Sequence, residues 1–248
     1  MERFFLVLFS SFLLTNCSLD NLFNLNNVSN EFVEIEGERI NKRVDVDMFR
    51  YLEVDVNSNV ELIQSDSLIV NVEGYKNIVD LLDISVSNSK MTIKFKKSIS
   101  HKSELNIKIY VPAIQFVLMN GSGQFNIKSW SNEDRLHLKN NGSAAFIVSN
   151  INHIKNIFIE LNGVGSFMSS GESDKINTMH CILNGSGDIN LEQFNLSQVN
   201  LELNGSGNIE IGESDLLHAT LIGSGNISYK GFPKIHQKII GSGTIIQK

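Results

Sequence analysis

Four histidines, His137, His180, His218 and His236, each stand five residues before a glycine that opens a Gly-rich tetrapeptide, and Phe116, Phe158 and Asn200 fill the same column. Imidazole titrates nearest to neutral pH among the side chains and is a common ligand for transition metals. On adjacent β-strands, roughly 4.8 Å apart, His218 and His236 could share a metal or repel one another once protonated. No carboxylate or thiolate is fixed beside them by the sequence. They are therefore read as a solvated outward column, and neither a metal nor a cofactor is expected.

A second chemistry to weigh is that of paired carboxylates, which cleave glycosidic bonds when two of them flank a sugar. Asp188 and Glu210 lie three and five residues past their glycines on consecutive repeat copies and could approach on one sheet face. One loose pair is the whole of that case, so a β-helix enzyme acting on polysaccharide, lyase or hydrolase, is the alternative and not the main reading. The acidic turns Gly171-Glu172-Ser173-Asp174 and Gly212-Glu213-Ser214-Asp215, with Glu192 between them, lack the nine-residue Gly/Asp rhythm of calcium β-rolls and read as solvated turns. The Gly-x-Gly pieces have no third glycine leading into a helix, so they are not dinucleotide fingerprints. No Ser-His-Asp arrangement is suggested, and the Asn-x-Ser matches are by-products of the repeat.

The elements that must position these residues follow from composition and period. The 248 residues carry 18 glycines and two prolines, with a formal charge of −6 and only 19% charged residues. Clustered Lys and Arg, which nucleic-acid binding needs to displace phosphate counterions, are missing, so that partner is excluded. A Gly-rich, Pro-poor chain with many Val, Ile and Phe favours strands joined by tight turns.

Seven copies of one motif stand in series: Asn120-Gly121-Ser122-Gly123, Asn141-Gly142-Ser143-Ala144, Asn162-Gly163-Val164-Gly165, Asn184-Gly185-Ser186-Gly187, Asn204-Gly205-Ser206-Gly207, Ile222-Gly223-Ser224-Gly225 and Ile240-Gly241-Ser242-Gly243. Their first glycines are 21, 21, 22, 20, 18 and 18 residues apart, roughly one coil of a β-solenoid. Two, four and six residues before the glycine the chain is mostly apolar, and the positions between are mostly polar, which is strand alternation with one buried face. Four residues after it stand Phe125, Phe146, Phe167, Ile189, Ile209, Ile227 and Ile245, read as an internal stack. Each copy is thus strand, corner, strand and loop, and none can bury its apolar face without neighbours. Glycine suits a sharp corner, and asparagine tolerates left-handed backbone and can hydrogen-bond along a stack of its own kind.

Organisation along the chain follows. Glu2-Arg3, an apolar run from Phe4 to Leu14 and then Thr15-Asn16 describe a secretory signal over residues 1–16, too short to span a bilayer. Cys17 then stands where a bacterial lipobox places its acylated cysteine, although Asn16 departs from the usual small residue before it. Acylation would hold the protein on a membrane without a transmembrane helix. Residues 17–43 read as a lipid-anchored tether, 44–119 as an atypical N-terminal capping β layer, and 120–248 as the repeat. Cys181 has no partner for an intramolecular disulfide, so the fold rests on burial. Beyond Lys248 no cap is evident, so either Lys234, Lys238 and Lys248 discourage pairing at that edge or the last coil is a surface for self-association.

Phe49-Arg50-Tyr51-Leu52-Glu53-Val54, then Tyr110-Val111-Pro112-Ala113-Ile114, then serial Gly-Ser-Gly-x-Ile/Phe-x-Ile resemble the head GIN domain family of auto-transporter adhesins from about Val44 onward. The resemblance implies a right-handed parallel β-helix on a cell envelope and supplies no catalytic residue. Ala144 and Val164 depart from the corner pattern. The expectation is an all-β, non-catalytic, envelope-anchored lipoprotein, periplasmic or at the cell surface. It would present a regular sheet face for adhesion, with an unknown protein or glycan ligand, or for structural assembly.

Overall fold

The computed structural model describes residues 33–97, 99 and 103–248. The signal segment, Cys17 and the tether up to residue 32 lie outside the described residues. What is described is a β-solenoid of about six turns. Each turn lays one strand on a ten-stranded sheet, bends at the Gly-rich corner, and lays a second strand on an eleven-stranded sheet.

The repeat alignment is the structural register. Strand Ile176–Gly185 pairs in parallel with Leu196–Gly205, that strand with Ser214–Gly223, and that one with Lys234–Gly241, glycine on glycine throughout. Past the corner, Asp188–Leu191, Asn208–Ile211, Asn226–Tyr229 and Thr244–Gln247 stack in the same way. The alternating apolar columns of the two sheets face each other and form one continuous core. Phe125, Phe146, Phe167, Ile189, Ile209 and Ile227 are buried one above another, with Phe125 and Phe146 ring centroids 5.1 Å apart. Burying side chains of this size contributes about 1.5–3 kcal/mol each, so every added coil stabilises the one before it.

The N-terminal end is not stacked in chain order. Tyr51–Val54 and Ser58–Gln64 form a coil that lies between Lys90–Phe95 with Leu105–Val111 on one side and Phe116–Met119 with Gln124–Ser131 on the other. The chain leaves this coil, builds the outer layers, and returns beneath them to start the repeat. Antiparallel strands close the outside: Ile69–Tyr75 on Leu105–Val111, and Leu82–Ser87 on Lys90–Phe95. The second pair turns through Asn88 and Ser89, both at positive φ, the backbone a tight two-residue hairpin requires. A single helical turn, Lys76–Val79, sets Ile78 and Val79 into the end of the core.

One boundary differs from the sequence reading. Arg39–Asp45, of which residues 39–43 were assigned to the tether, is the edge strand of the eleven-stranded sheet, antiparallel to Ile69–Tyr75. Its Arg, Lys and Asp side chains gave it the look of a linker. They are also what blunts an exposed sheet edge against further pairing.

Candidate functional site

The outer face of the ten-stranded sheet carries two columns that run nearly the length of the solenoid. The first is the histidine column of the sequence. Tyr51, Phe116, His137, Phe158, His180, Asn200, His218 and His236 are register partners from coil to coil. Phe116 meets His137 edge to face at 4.9 Å, His137 and Phe158 are 5.8 Å apart, and Phe158 and His180 5.6 Å. His218 and His236 stack nearly parallel at 4.9 Å. Solvation was the expectation for this column. Its members are instead half-buried against each other except Tyr51 and His236, because parallel register sets each ring directly above the next. Ring pairs of this kind add about 0.5–1.5 kcal/mol beyond their area.

Burial has an electrostatic consequence at His137. Desolvation lowers its pKa from the usual value near 6.5, and this outweighs the opposing pull of the Glu160 carboxylate 3.9 Å away. Burial alone would raise the pKa of Glu160, but the hydrogen bonds from Lys139 at 2.7 Å and Asn162 at 2.8 Å prevail and hold it below the ordinary carboxylate value. Among the described residues none hydrogen-bonds to His180 Nε2, which is buried.

The second column is the corner asparagines, which form an unbroken side-chain ladder. Asn204 Nδ2 donates to Asn184 Oδ1 at 2.9 Å, Asn184 to Asn162 at 2.8 Å, Asn162 to Asn141 and Asn141 to Asn120 at 3.0 Å each. Asn120 then donates to the carboxylate of Asp55. A carboxylate can only accept, so Asp55 fixes the direction of every amide above it. A shorter ladder on the other sheet has the same plan: Thr244 donates to Asn226 at 2.7 Å, Asn226 to Asn208 at 3.2 Å, and Asn208 to Asp188 at 2.9 Å. The sequence alignment marked the corner asparagines but neither terminating aspartate. Asp188 heads a run of Asn208, Asn226 and Thr244 in its register column, and that run was the available signal for it; Asp55 is known only by its contact with Asn120.

The corners beneath the ladder are built by backbone contact. Gly185 has φ +142°, and a Cβ there would lie 2.2 Å from the Gly163 carbonyl oxygen. A Cβ on Gly187 would lie 2.0 Å from the oxygen of Gly165. Coils this close leave room for hydrogen only. The middle residue needs just its N–H: Ser186 N donates to Gly163 O at 3.1 Å and Ser206 N to Gly185 O at 3.0 Å. Val164 takes the same middle position and is 65% exposed, so its larger side chain has room in solvent.

The first two corners are wound differently. Positive φ falls on Gly123 in the first copy and on neither Gly142 nor Ala144 in the second, so alanine fits there. Asn140, buried in a column that is otherwise apolar, staples that corner: it donates to Ala144 O at 2.6 Å and accepts from Gly142 N at 2.9 Å. Asn140 and Ala144 are a compensating pair, and the sequence reading found only one of them.

The alternative carboxylate pair lies diagonally across adjacent strands of one sheet, and each member is engaged by another group. Register sets Glu210 opposite Asn190 and Asp188 opposite Asn208. Glu210 pairs with Lys248 at 2.9 Å, and Asp188 ends the second ladder. The acidic turns are likewise occupied: Asp215 by Lys175 at 2.7 Å and Ser197 at 2.9 Å, Asp174 by the His153 N–H at 3.1 Å, Glu192 by Lys230 at 3.1 Å. Among the described residues no group of three or more His, Cys, Asp or Glu is placed to hold a metal.

Flat sheet faces, glycine corners and side-chain ladders repeated coil on coil define a two-sheet β-solenoid. Residues 48–233 match the family model described as "Putative auto-transporter adhesin, head GIN domain", and the chain belongs to that family. Three crystal structures share the fold. One, of a protein described as a putative adhesin from Bacteroides fragilis, has a TM-score of 0.73 at 20% identity and covers 87% of this chain and all of its own. A second, also described as a putative adhesin, from Parabacteroides distasonis, has a TM-score of 0.62 at 23% identity, covering 88% and 100%. A third, from the same species and described as a putative lipid binding protein, has a TM-score of 0.68 at 20% identity, with the same coverage. No curated protein sequence matches the chain.

Proposed function

We propose that this protein is a non-catalytic, envelope-anchored adhesin-type solenoid, held by an acylated Cys17 and binding through the outer face of its ten-stranded sheet. The observation that carries the reading is the pair of columns on that face, rings in register from Tyr51 to His180 beside an amide ladder from Asn120 to Asn204. A surface of this form offers a ligand related contacts on successive coils, so affinity accumulates over many weak contacts. The family description supports an adhesive role, and the signal-like opening before Cys17 supports the anchor. Outward-facing Ile222, Ile240 and Ile246, each more than two-fifths exposed, are where self-association of the last coils would occur.

The test expresses the full chain in a diderm host with labelled palmitate, beside Cys17→Ser and beside a Phe158→Ser, His180→Ser face variant. Wild type should take the label, partition with membranes, and increase adherence of the cells to mucin- or laminin-coated surfaces. Cys17→Ser should lose label and adherence together, and the face variant should lose adherence alone. An acylated, surface-exposed wild type that adheres no better than the empty host would overturn the binding role. An unlabelled wild type would overturn the anchor.

A further inference from the structure

The five corner asparagines are also the five Asn-Gly dipeptides of the chain. That pair is chemically labile. The glycine backbone nitrogen gives up its proton and bonds to the asparagine Cγ, the Cγ–Nδ2 bond breaks, and ammonia leaves a five-membered imide. Water then opens the imide at one carbonyl to give aspartate, or at the other to give isoaspartate, in which the main chain runs through the side-chain carbon. Glycine makes the approach easy because no Cβ shields its nitrogen.

We propose that the asparagine ladder holds this reaction back at Asn120, Asn141, Asn162 and Asn184, and that Asn204 is the corner asparagine where conversion to aspartate and isoaspartate begins. Each of the inner four is pinned on both sides, donating through Nδ2 to the coil below and accepting through Oδ1 from the coil above. To present Cγ to the following nitrogen, an inner amide must rotate out of both bonds. Asn204 gives up one. It donates to Asn184, but its register partner in the next coil is Ile222, and among the described residues no side chain donates to its Oδ1. Asn141 is held a third way, since the nucleophile itself is engaged: Gly142 N–H is donated to Asn140 at 2.9 Å.

The position gives conversion a structural consequence. Gly205 follows at φ +147° and packs so closely that a Cβ would lie 2.1 Å from the Gly185 oxygen. An isoaspartate adds a main-chain carbon at that corner, ahead of the last two coils. Age would therefore loosen the C-terminal end of the solenoid first.

The experiment incubates the folded full chain in mildly alkaline buffer at body temperature and measures conversion at each site by peptide mass spectrometry, with isoaspartate assigned by fragmentation. Asn204 should convert about fivefold faster than the inner four, the factor one hydrogen bond of ordinary net strength supplies. In concentrated urea, with the ladder gone, all five should react within about threefold of one another. Ile222→Asn extends the ladder by one rung and should slow Asn204 about fivefold, whereas Ile222→Val, unable to donate, should leave it unchanged. An inner asparagine that outruns Asn204 in the folded protein, or an Asn204 rate that does not respond to Ile222→Asn, overturns the proposal.

Discussion

Asn120 donates its side-chain amide to the carboxylate of Asp55, 65 residues earlier in the chain, and this contact gives the whole asparagine ladder its direction. Amide chains can run either way, and two polarities would meet at a clash of like groups. An acceptor-only residue at one end removes the choice. Asp188 does the same for the second ladder.

It follows that an aspartate is benign only at the bottom of a ladder. Asn162→Asp keeps the acceptor for Asn184 but loses the donors to Asn141 and to Glu160, and sets a carboxylate against both. At neutral pH it should cost about 1–3 kcal/mol, the range for leaving hydrogen-bonding groups unsatisfied. Asn204→Asp disturbs one bond and should cost less than half as much. Urea unfolding of the two variants side by side checks the order, and equal costs would mean that the ladder contributes nothing by its continuity.

The corner glycines divide into positions that tolerate a side chain and positions that do not. Gly185→Ala meets a backbone oxygen at 2.2 Å and a positive φ together, and should destabilise by roughly 3 kcal/mol or more. Ala144→Gly and Val164→Ser should stay within about 1 kcal/mol of wild type, since neither position has positive φ and Val164 is in solvent. Thermal melts of all three decide it; a Gly185→Ala protein melting with wild type would refute the close-contact account.

Most of the solenoid was legible because its information is periodic. Seven aligned corners fixed the register, the alternation fixed which faces are buried, and the column of Phe125 and Phe146 fixed the core. The N-terminal layers were harder because their pairings cross the chain order: nothing local in Tyr51–Val54 says that its two neighbours are Lys90–Phe95 and Phe116–Met119. Residues 39–43 were misplaced because a charged edge strand and a linker have the same composition. Asn140 and Asp55 were missed for a different reason. Each acts through a partner in space, and a polar residue in an apolar column reads as noise until the atom it satisfies is known.

Glu133 supplies a pH dependence of opposite sign to the exposed ion pairs. It is 6% exposed, and burial raises its pKa above the ordinary 4.5 despite Arg50 at 3.2 Å and a backbone hydrogen bond from Ile114. A carboxyl whose folded pKa is raised contributes stability that is fully present below the unfolded value and lost as pH rises through the folded one. Glu61 and Asp215, held low, by Lys128 and Lys175 first, lose theirs as pH falls. The difference between wild type and Glu133→Gln isolates the buried group: relative to wild type, the variant should gain stability as pH rises from 4.5 toward neutrality. Melting temperatures across that range test it, and parallel curves would show that Glu133 titrates alike in both states.

His137 is the member of the ring column where the histidine is a liability. Burial between Phe116 and Phe158 depresses its pKa, so the folded state resists the proton that the unfolded chain accepts near 6.5. A depressed folded pKa means that stability present above the unfolded value is lost as pH falls through the folded one. Both register neighbours are already phenylalanine, so His137→Phe completes a run of three rings with no new geometry. The variant should be more stable by about 0.5 kcal/mol at neutral pH, since the ring pairs are already present and only the burial of the imidazole's polar atoms is relieved. The gain should widen below pH 6.5, because only wild type then has an imidazole to charge. Urea midpoints measured on both sides of that pH distinguish the two contributions. A gain that stays constant assigns the effect to packing alone, and a gain that shrinks on acidification shows the His137 imidazolium to be stabilised by Glu160 more than burial disfavours it.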